Sequence, residues 1–337
     1  MEAGRQCRVD SQNTTINRVT PQSRPTARRP GRSPVGEALH LLGDRWTLLI
    51  LRDAFLTGHR RYGQWSDELP ISDAVLTRRL QDLVDTGVFE RSRYDRRPPR
   101  YEYRLTPRGL ALWRILVALW EWESRWVPGS AEAQLSLVHR VCAAVTRPVL
   151  ICGVCGEQVS LGDVATNVGR PGREWLRSPD RVRRRSITKT EDPDAPVFRR
   201  ETIDILGDRW SSTLIGLAFL GVRRFSDFQQ SVAVSPTLLS GRLRNLTSLG
   251  VLESVPVVEG GRRTEYRLTA KGLAFFPAVL LVLDWADTWL ADGKERSVEV
   301  THLACGNVMR PALGCASCGI ELERPAVGWQ GAGAHRP

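Results

Sequence analysis

The chain has 337 residues, 42% of them hydrophobic, enough for two domains with a core each. Its net charge of +11 points to an anionic partner such as nucleic acid, although nearly all the basic residues are Arg and much of the excess sits in one tail and one linker. No uninterrupted apolar run reaches the roughly eighteen residues of a membrane span, and the N-terminus has no apolar signal core, so a cytoplasmic protein with no membrane contact is expected.

Residues 1–34, rich in Arg, Pro, Ser and Thr, read as a disordered basic tail. A helix is predicted over 35–42 and a second over 44–57, where Trp46, Leu49, Ile50 and Phe55 supply an apolar face. "RRYGQWSDELP" predicts a short helix with Tyr62, Trp65 and Leu69 inward. "ISDAVLTRRLQDLVDTG" predicts a longer one, with Ser72 as N-cap, Gly87 as stop, and Leu76, Leu80, Leu83 and Val84 as its buried stripe. Two strand-like pieces, "VFERSRY" and "RYEYRLT", flank the basic tip "DRRPP". Thr106 then opens one long Trp-rich helix through "PRGLALWRILVALWEWESRWV". Beyond it lie His139, Cys142, Cys152 and Cys155.

The same order then recurs. His139, Cys142, Cys152 and Cys155 each have a counterpart 163 positions later, at His302, Cys305, Cys315 and Cys318. That shift also aligns "AVLTRRLQDLVDTGV" with "TLLSGRLRNLTSLGV", and "YEYRLTPRGLAL" with "TEYRLTAKGLAF". "LLGDRW" (41–46) matches "ILGDRW" (205–210) with one residue of slippage. The whole unit is therefore duplicated. The expected divisions are a first domain over 35–129, a Cys/His module over 130–165, a linker over 166–197, a second domain over 198–293, a second Cys/His module over 294–328, and a tail over 329–337.

Helix, short helix, turn, capped helix and basic-tipped hairpin is the order of a winged helix-turn-helix. The fold class expected is mainly α with small β-hairpin wings (α+β), two such domains each followed by a small Cys/His module. With the leucine stripe inward, Ala74, Arg78, Gln81 and Asp85 face out at about 100° per residue, with Thr77 at the border. That face suits the major groove of double-stranded DNA. Ser72, Thr77, Arg78 and Gln81 are the candidate contacts on the first helix, and Arg93, Arg96, Arg97 and Arg100 on the first wing. In the second copy the candidates are Ser235, Thr237, Ser240, Arg244, Arg262 and Arg263. There Gly241 replaces Arg78, Arg244 replaces Gln81, and the tip "EGGRR" is less basic, so an asymmetric operator is expected.

On "LLGDRWTLLILRDAF", "RRYGQWSDELP", "VLTRRLQDLVDTGVFERSRY" and "PPRYEYRLTPRGLAL", and on their second-copy equivalents, the chain resembles the HxlR-type bacterial transcription regulators. The resemblance covers roughly 35–127 and 200–291. It implies a winged helix fold and sequence-specific DNA binding, usually as a homodimer. It also implies repression and a small-molecule effector in many cases. Members typically carry one such domain, and some sense redox state through a Cys near the first helix, whereas this chain has no Cys between 8 and 141. The Trp-rich helices offer Trp113, Leu116, Leu119, Trp120 and Trp126, and Phe276, Val279, Leu280, Leu283, Trp285 and Trp289, as a dimer surface. It serves either a pseudo-dimer within one chain or a homodimer.

Zinc takes four N or S ligands in a tetrahedron. Spacing alone assigns His139, Cys142, Cys152 and Cys155 to one structural zinc and His302, Cys305, Cys315 and Cys318 to another, with buried free thiols or a Cys-x2-Cys disulfide as alternatives. A glycine after the second thiolate permits the knuckle turn, and Cys142-Ala143 departs from that rule. No phosphate loop, nucleophile elbow or His-Glu-x2-His helix is present, so no enzyme is expected. Two other readings stay open: a redox or metal sensor acting through the His/Cys clusters, and an interaction protein with only one DNA-competent domain.

Overall fold

The computed structural model describes residues 33–96, 99–127, 135–177, 202, 205, 209–232, 234–258, 263–291 and 295–331. In the first unit α1 (Pro34–Leu42) begins at Ser33, whose Oγ accepts from the Gly36 amide at 3.0 Å. Asp44 caps α2 (Arg45–Leu56) by accepting from Thr47 N at 3.1 Å. That accounts for the first Gly-Asp-Arg-Trp: Gly43 ends one helix and Asp44 starts the next. Then come α3 (Tyr62–Glu68) and α4 (Asp73–Asp85). Trp65 is fully buried and donates its indole N–H to Ile50 O at 3.3 Å. Arg79, also buried, meets Asp44 at 2.7 Å and so ties α4 to the start of α2.

Strands β1 (Phe89–Arg96) and β2 (Pro99–Leu105) pair as an antiparallel wing. The helix expected to run unbroken from Thr106 is in fact two. Thr106 caps α5 (Pro107–Leu110), the chain turns through Ala111 and Leu112, and α6 (Trp113–Trp126) follows. Packing forces the break. A Cβ on Gly109 would lie 2.2 Å from the Val88 carbonyl, so α5 presses directly on the backbone just ahead of β1. Gly272 stands in the same relation to Val251.

The second unit repeats the pattern: α8 (Arg209–Phe219), α9 (Phe225–Ser231), α10 (Pro236–Ser248), β7 (Leu252–Pro256) with β8 (Thr264–Leu268), α11 (Ala270–Leu273) and α12 (Phe276–Trp289), α7 being Arg170–Arg177 in the connection. Residues 270–289 have the length and hydropathy of a membrane span. Here, however, Phe276, Ala278, Leu280, Leu281 and Trp285 are buried in protein.

The units pack on one another through α6, α12 and α1. Two hydrogen bonds mark a local two-fold relation. Trp122 Nε1 donates to Lys271 O at 2.9 Å, and its counterpart Trp285 donates to Arg108 O at 3.0 Å. Leu116, Leu119 and Trp120 of the expected surface are buried, and Trp122, which sequence reading passed over, makes the cross-unit bond.

The Cys/His segments exchange strands. These are β3 (Ser136–His139), β4 (Ala144–Thr146), β5 (Pro148–Cys152), β6 (Val164–Val168), β9 (Val298–His302), β10 (Pro311–Cys315) and β11 (Val327–Gln330). Strand β5 pairs with its own counterpart β10, with Leu150 opposite Leu313 at the centre. Strand β6 pairs with β9, and β11 pairs with β3. The linker expected over 166–197 therefore begins with the end of a strand and a helix, and the tail expected from 329 holds the end of β11. Local composition could not show either, because each strand's partner lies in the other unit.

Candidate metal centres and nucleic-acid interface

The eight His and Cys side chains form two groups, but not the groups that spacing assigns. One is His139, Cys142, Cys315 and Cys318; the other is Cys152, Cys155, His302 and Cys305. Each takes a His-x2-Cys pair from one unit and a Cys-x2-Cys pair from the other. The nine residues between Cys142 and Cys152 do not fold back as a hairpin. They include β5, which rises roughly 3.3 Å per residue and carries Cys152 away from Cys142. The β5–β10 register puts Cys152 opposite Pro311, and Cys315 opposite Pro148.

In each group the four ligand atoms lie within 4.8 Å of one another. The Cys142 and Cys318 sulfurs are each 3.4 Å from His139 Nδ1, and Cys142 Sγ is 3.8 Å from Cys315 Sγ. In the second group Cys155 Sγ is 3.3 Å from His302 Nδ1. Metal–ligand bonds of about 2.3 Å to sulfur and 2.0–2.1 Å to nitrogen give tetrahedral edges of about 3.8 Å between sulfurs and about 3.6 Å between sulfur and nitrogen. The spacing fits a metal ion, and all six cysteines are free of disulfides. Hydrogen bonds from the Asn307 backbone and side chain bring the Cys305 thiol down to about 6. Burial pushes the Cys315 thiol up, but hydrogen bonds from Thr146, Cys318 and Ser317 outweigh it and bring that thiol also to about 6. Both favour the thiolate a metal needs, whereas Cys155 and Cys318 in the same groups are shifted up, their backbone hydrogen bonds being outweighed by burial and the neighbouring thiols.

The knuckle turns bear out the glycine rule and explain its exception. Gly156, Gly306 and Gly319 have φ of 83°, 67° and 75°, and Ala143 is held at φ 55° in the same turn. Among the described residues it is the one non-glycine with positive φ. The turn's geometry is kept even where a side chain makes it costly.

The α4 face is arranged as the periodicity requires. Leu76, Leu80 and Leu83 are fully buried, and Val84 is half-buried. Ser72, Ala74, Thr77, Arg78, Gln81 and Asp85 are exposed, with Gln81 donating to Asp85 at 2.7 Å. Ser72 sits at the N-cap position but its hydroxyl makes no capping bond. On α10 the Ser235 hydroxyl does cap, accepting from Leu238 N at 3.3 Å. Thr237 and Arg244 are exposed and Ser240 is half-buried. Gly241 opens onto free space.

On the first wing Arg93 and Arg100 are exposed. Arg97 and Arg262 lie outside the described residues, as does the side chain of Arg96. Sequence reading missed Arg91, whose guanidinium stacks 3.7 Å over the Tyr101 ring, and Arg61, 4.6 Å over Tyr94. The signal was there: Arg91 and Arg93 alternate on one strand and share a face. The second wing keeps exposed Arg263 but has Ser254 and Pro256 in place of Arg91 and Arg93. His59 is buried beside Asp53 and Glu68. Burial raises the Asp53 carboxyl, and the adjacent Arg52, 2.6 Å away, partly offsets this.

Buried stripe, exposed helix face and hairpin wing, present twice, define a tandem winged helix-turn-helix protein. Residues 41–131 and 205–294 each match the family model for the HxlR-like helix-turn-helix, together more than half of the chain. The chain belongs to that family. It is 43% identical over 138 residues to an uncharacterized HTH-type transcriptional regulator of Mycobacterium tuberculosis, covering 41% of this chain and 86% of that one. It is 40% identical over 95 residues to one from Synechocystis, covering 28% of this chain and 70% of that protein. It is 36% identical over 95 residues to YvaP of Bacillus subtilis, covering 28% and 87%.

Proposed function

We propose that the chain is a sequence-specific DNA-binding transcriptional repressor of the bacterial cytoplasm that acts as a pseudo-dimer within one polypeptide. The observation that carries this reading is the doubled, solvent-facing helix: α4 with Thr77, Arg78 and Gln81 outward, and α10 with Ser240, Gly241 and Arg244 in the corresponding places and Thr237 one turn earlier. Ser72 and Ser235 stand at the N-terminal ends of these helices, where phosphates are readily bound. Arg93, Arg96, Arg97 and Arg100 would track phosphates or the minor groove beside one half-site, and Arg262 and Arg263 beside the other. Protein two-fold symmetry would be matched by two half-sites. Because Arg78 gives way to Gly241, the half-sites would differ in sequence.

Zinc would occupy the two crossed His/Cys3 groups. With four protein ligands each, these sites leave no open position, and the role read for them is structural. Each would tie the first unit to the second. A second reading follows from that crossing: oxidation or loss of metal would release the clamp, making the protein a redox or metal sensor.

The test is selection of bound DNA from a random pool, with intact protein under reducing, zinc-replete conditions. One asymmetric motif with a steep salt dependence is the expected result. A perfectly symmetric motif would overturn the asymmetric reading, and no enriched motif would overturn DNA recognition itself.

A further inference from the structure

Between the two units lies a cavity of about 90 Å³. One water-sized group needs roughly 10–15 Å³, so there is room for on the order of six to nine. The walls come from α1 and β6 of the first unit and from α8, α12 and β9 of the second. Among the described residues no charged side chain lines it. Two of its polar side chains are turned to the protein: Ser212 donates to Ile205 O at 3.1 Å, and Ser297 donates to Asp287 at 2.8 Å.

Comparison of the two copies shows how the space arises. Trp329 lies opposite Leu137 in the β11–β3 register, and its counterpart Thr166 lies opposite Val300, so the two occupy equivalent slots. The Trp329 ring packs edge-on against Trp120, with centroids 4.8 Å apart. At the cavity the corresponding pair is Thr166 and Leu283, both in its lining. The Arg324 guanidinium lies 5.5 Å over the Phe55 ring, and the corresponding Leu161 and Phe219 both face the cavity. Counted from the helix starts at Arg45 and Arg209, buried Arg52 corresponds to Gly216. A Cβ added at Gly216 would meet nothing within 4 Å. Groups that plug one side of the pseudo-dimer are thus cut back on the other.

We propose that this cavity binds a small, uncharged, mainly apolar molecule of about one to two rings, once per chain. The pocket is partly open, and an occupant that covers its apolar walls takes that surface out of water. The uniformly apolar wall accepts a neutral ring and rejects a carboxylate, which would lose its hydration without a partner. The occupant would touch α8, which packs on α10, and Val300, two residues before the candidate metal ligand His302.

The experiment is isothermal calorimetry of full-length, metal-loaded protein with indole as the probe and benzoate as the charged comparator. One indole per chain and no benzoate binding are expected. Thr166→Trp, which restores the plug of the first copy, should weaken indole at least tenfold, and Gly216→Leu should do the same from the opposite wall. Trp329→Thr should open the second side and raise the stoichiometry towards two. If Thr166→Trp lowers the melting temperature, the Gly216→Leu result decides. Indole binding untouched by a well-folded filled variant, or benzoate binding as well as indole, would overturn the proposal, and so would no indole binding at millimolar concentration. The measurement uses no DNA, so it stands or falls separately from the regulator reading.

Discussion

The crossed ligand groups predict an unusual pattern of metal loss. If each group of four ligands holds one metal ion, the intact chain is expected to carry two. Cys142→Ala removes a ligand from one group and leaves the other complete, and the content falls to one after challenge with a chelator able to strip a three-ligand site. Adding Cys315→Ala removes a second ligand from the same group, and the content stays at one. Adding Cys152→Ala to Cys142→Ala instead damages both groups, and the content falls to zero. Ligand sets confined to each unit give the opposite: Cys142 and Cys152 would cost one ion, Cys142 and Cys315 two. The energetic scale is large, since structural zinc sites contribute on the order of 10 kcal/mol in apparent binding. The doubly damaged Cys142/Cys152 variant should also lose the contact between its halves, visible as a broadened or biphasic thermal transition. Metal analysis by mass spectrometry decides between the two patterns. Two ions lost from the Cys142/Cys315 variant would refute the crossed arrangement.

Ala143→Gly relieves a left-handed alanine and should stabilise the metal-loaded protein by about 1 kcal/mol in urea unfolding. Destabilisation would mean that the Ala143 side chain earns more in packing than the turn costs. Asp44→Ala removes both the cap of α2 and one of the two carboxylate partners of buried Arg79, the other being Asp82 at 3.1 Å, and should cost about 3 kcal/mol by thermal unfolding. A loss below about 1 kcal/mol would show that Arg79 finds another partner. On DNA, Arg78→Ala should weaken binding by about 1–3 kcal/mol and relax sequence preference in one half-site only. Equal relaxation of both halves would contradict the assignment of Arg78 to one of them. Arg91→Ala should weaken all sequences alike and flatten the salt dependence by about one counterion, a change measured by titration at several salt concentrations.

Much of the domain architecture was legible because its signals are local. The Leu76, Leu80 and Leu83 period, the Gly-Asp-Arg-Trp junction and the Thr-x2-Gly turn each specify a helix boundary or face within a few residues. What could not be read was anything whose partner lies in the other copy. Strand β6 and the end of β11 sit in segments whose Gly, Arg and Pro content reads as linker or tail, and they are strands because β9 and β3 supply the missing edge. The ligand grouping failed for the same reason. Spacing identifies the eight donors and is silent about which unit each faces, since a 163-residue repeat maps the intra-unit sets and the crossed sets onto one another equally well.

Duplication within one chain changes what substitution can achieve. In a homodimer any change in the reading helix appears in both half-sites, and any cavity opens twice. Here the equivalent positions have diverged, mostly in one direction, with Arg244 in place of Gln81 as the exception on the reading helix. The first unit carries Arg78, Arg91 and Arg93 on its exposed surfaces, and Gly241, Ser254 and Pro256 stand in their places in the second. The second unit in turn presents Gly216, Leu283 and Phe219 to an open cavity, where the equivalent surroundings of the first hold Trp120, Arg52 and Trp329. The elements that hold the pseudo-dimer together show no such drift. The two Trp–carbonyl bonds, the four knuckles and the central Leu150–Leu313 pairing are retained on both sides. The two-fold frame is therefore kept while its two faces specialise, the first in basic contacts and the second in apolar space.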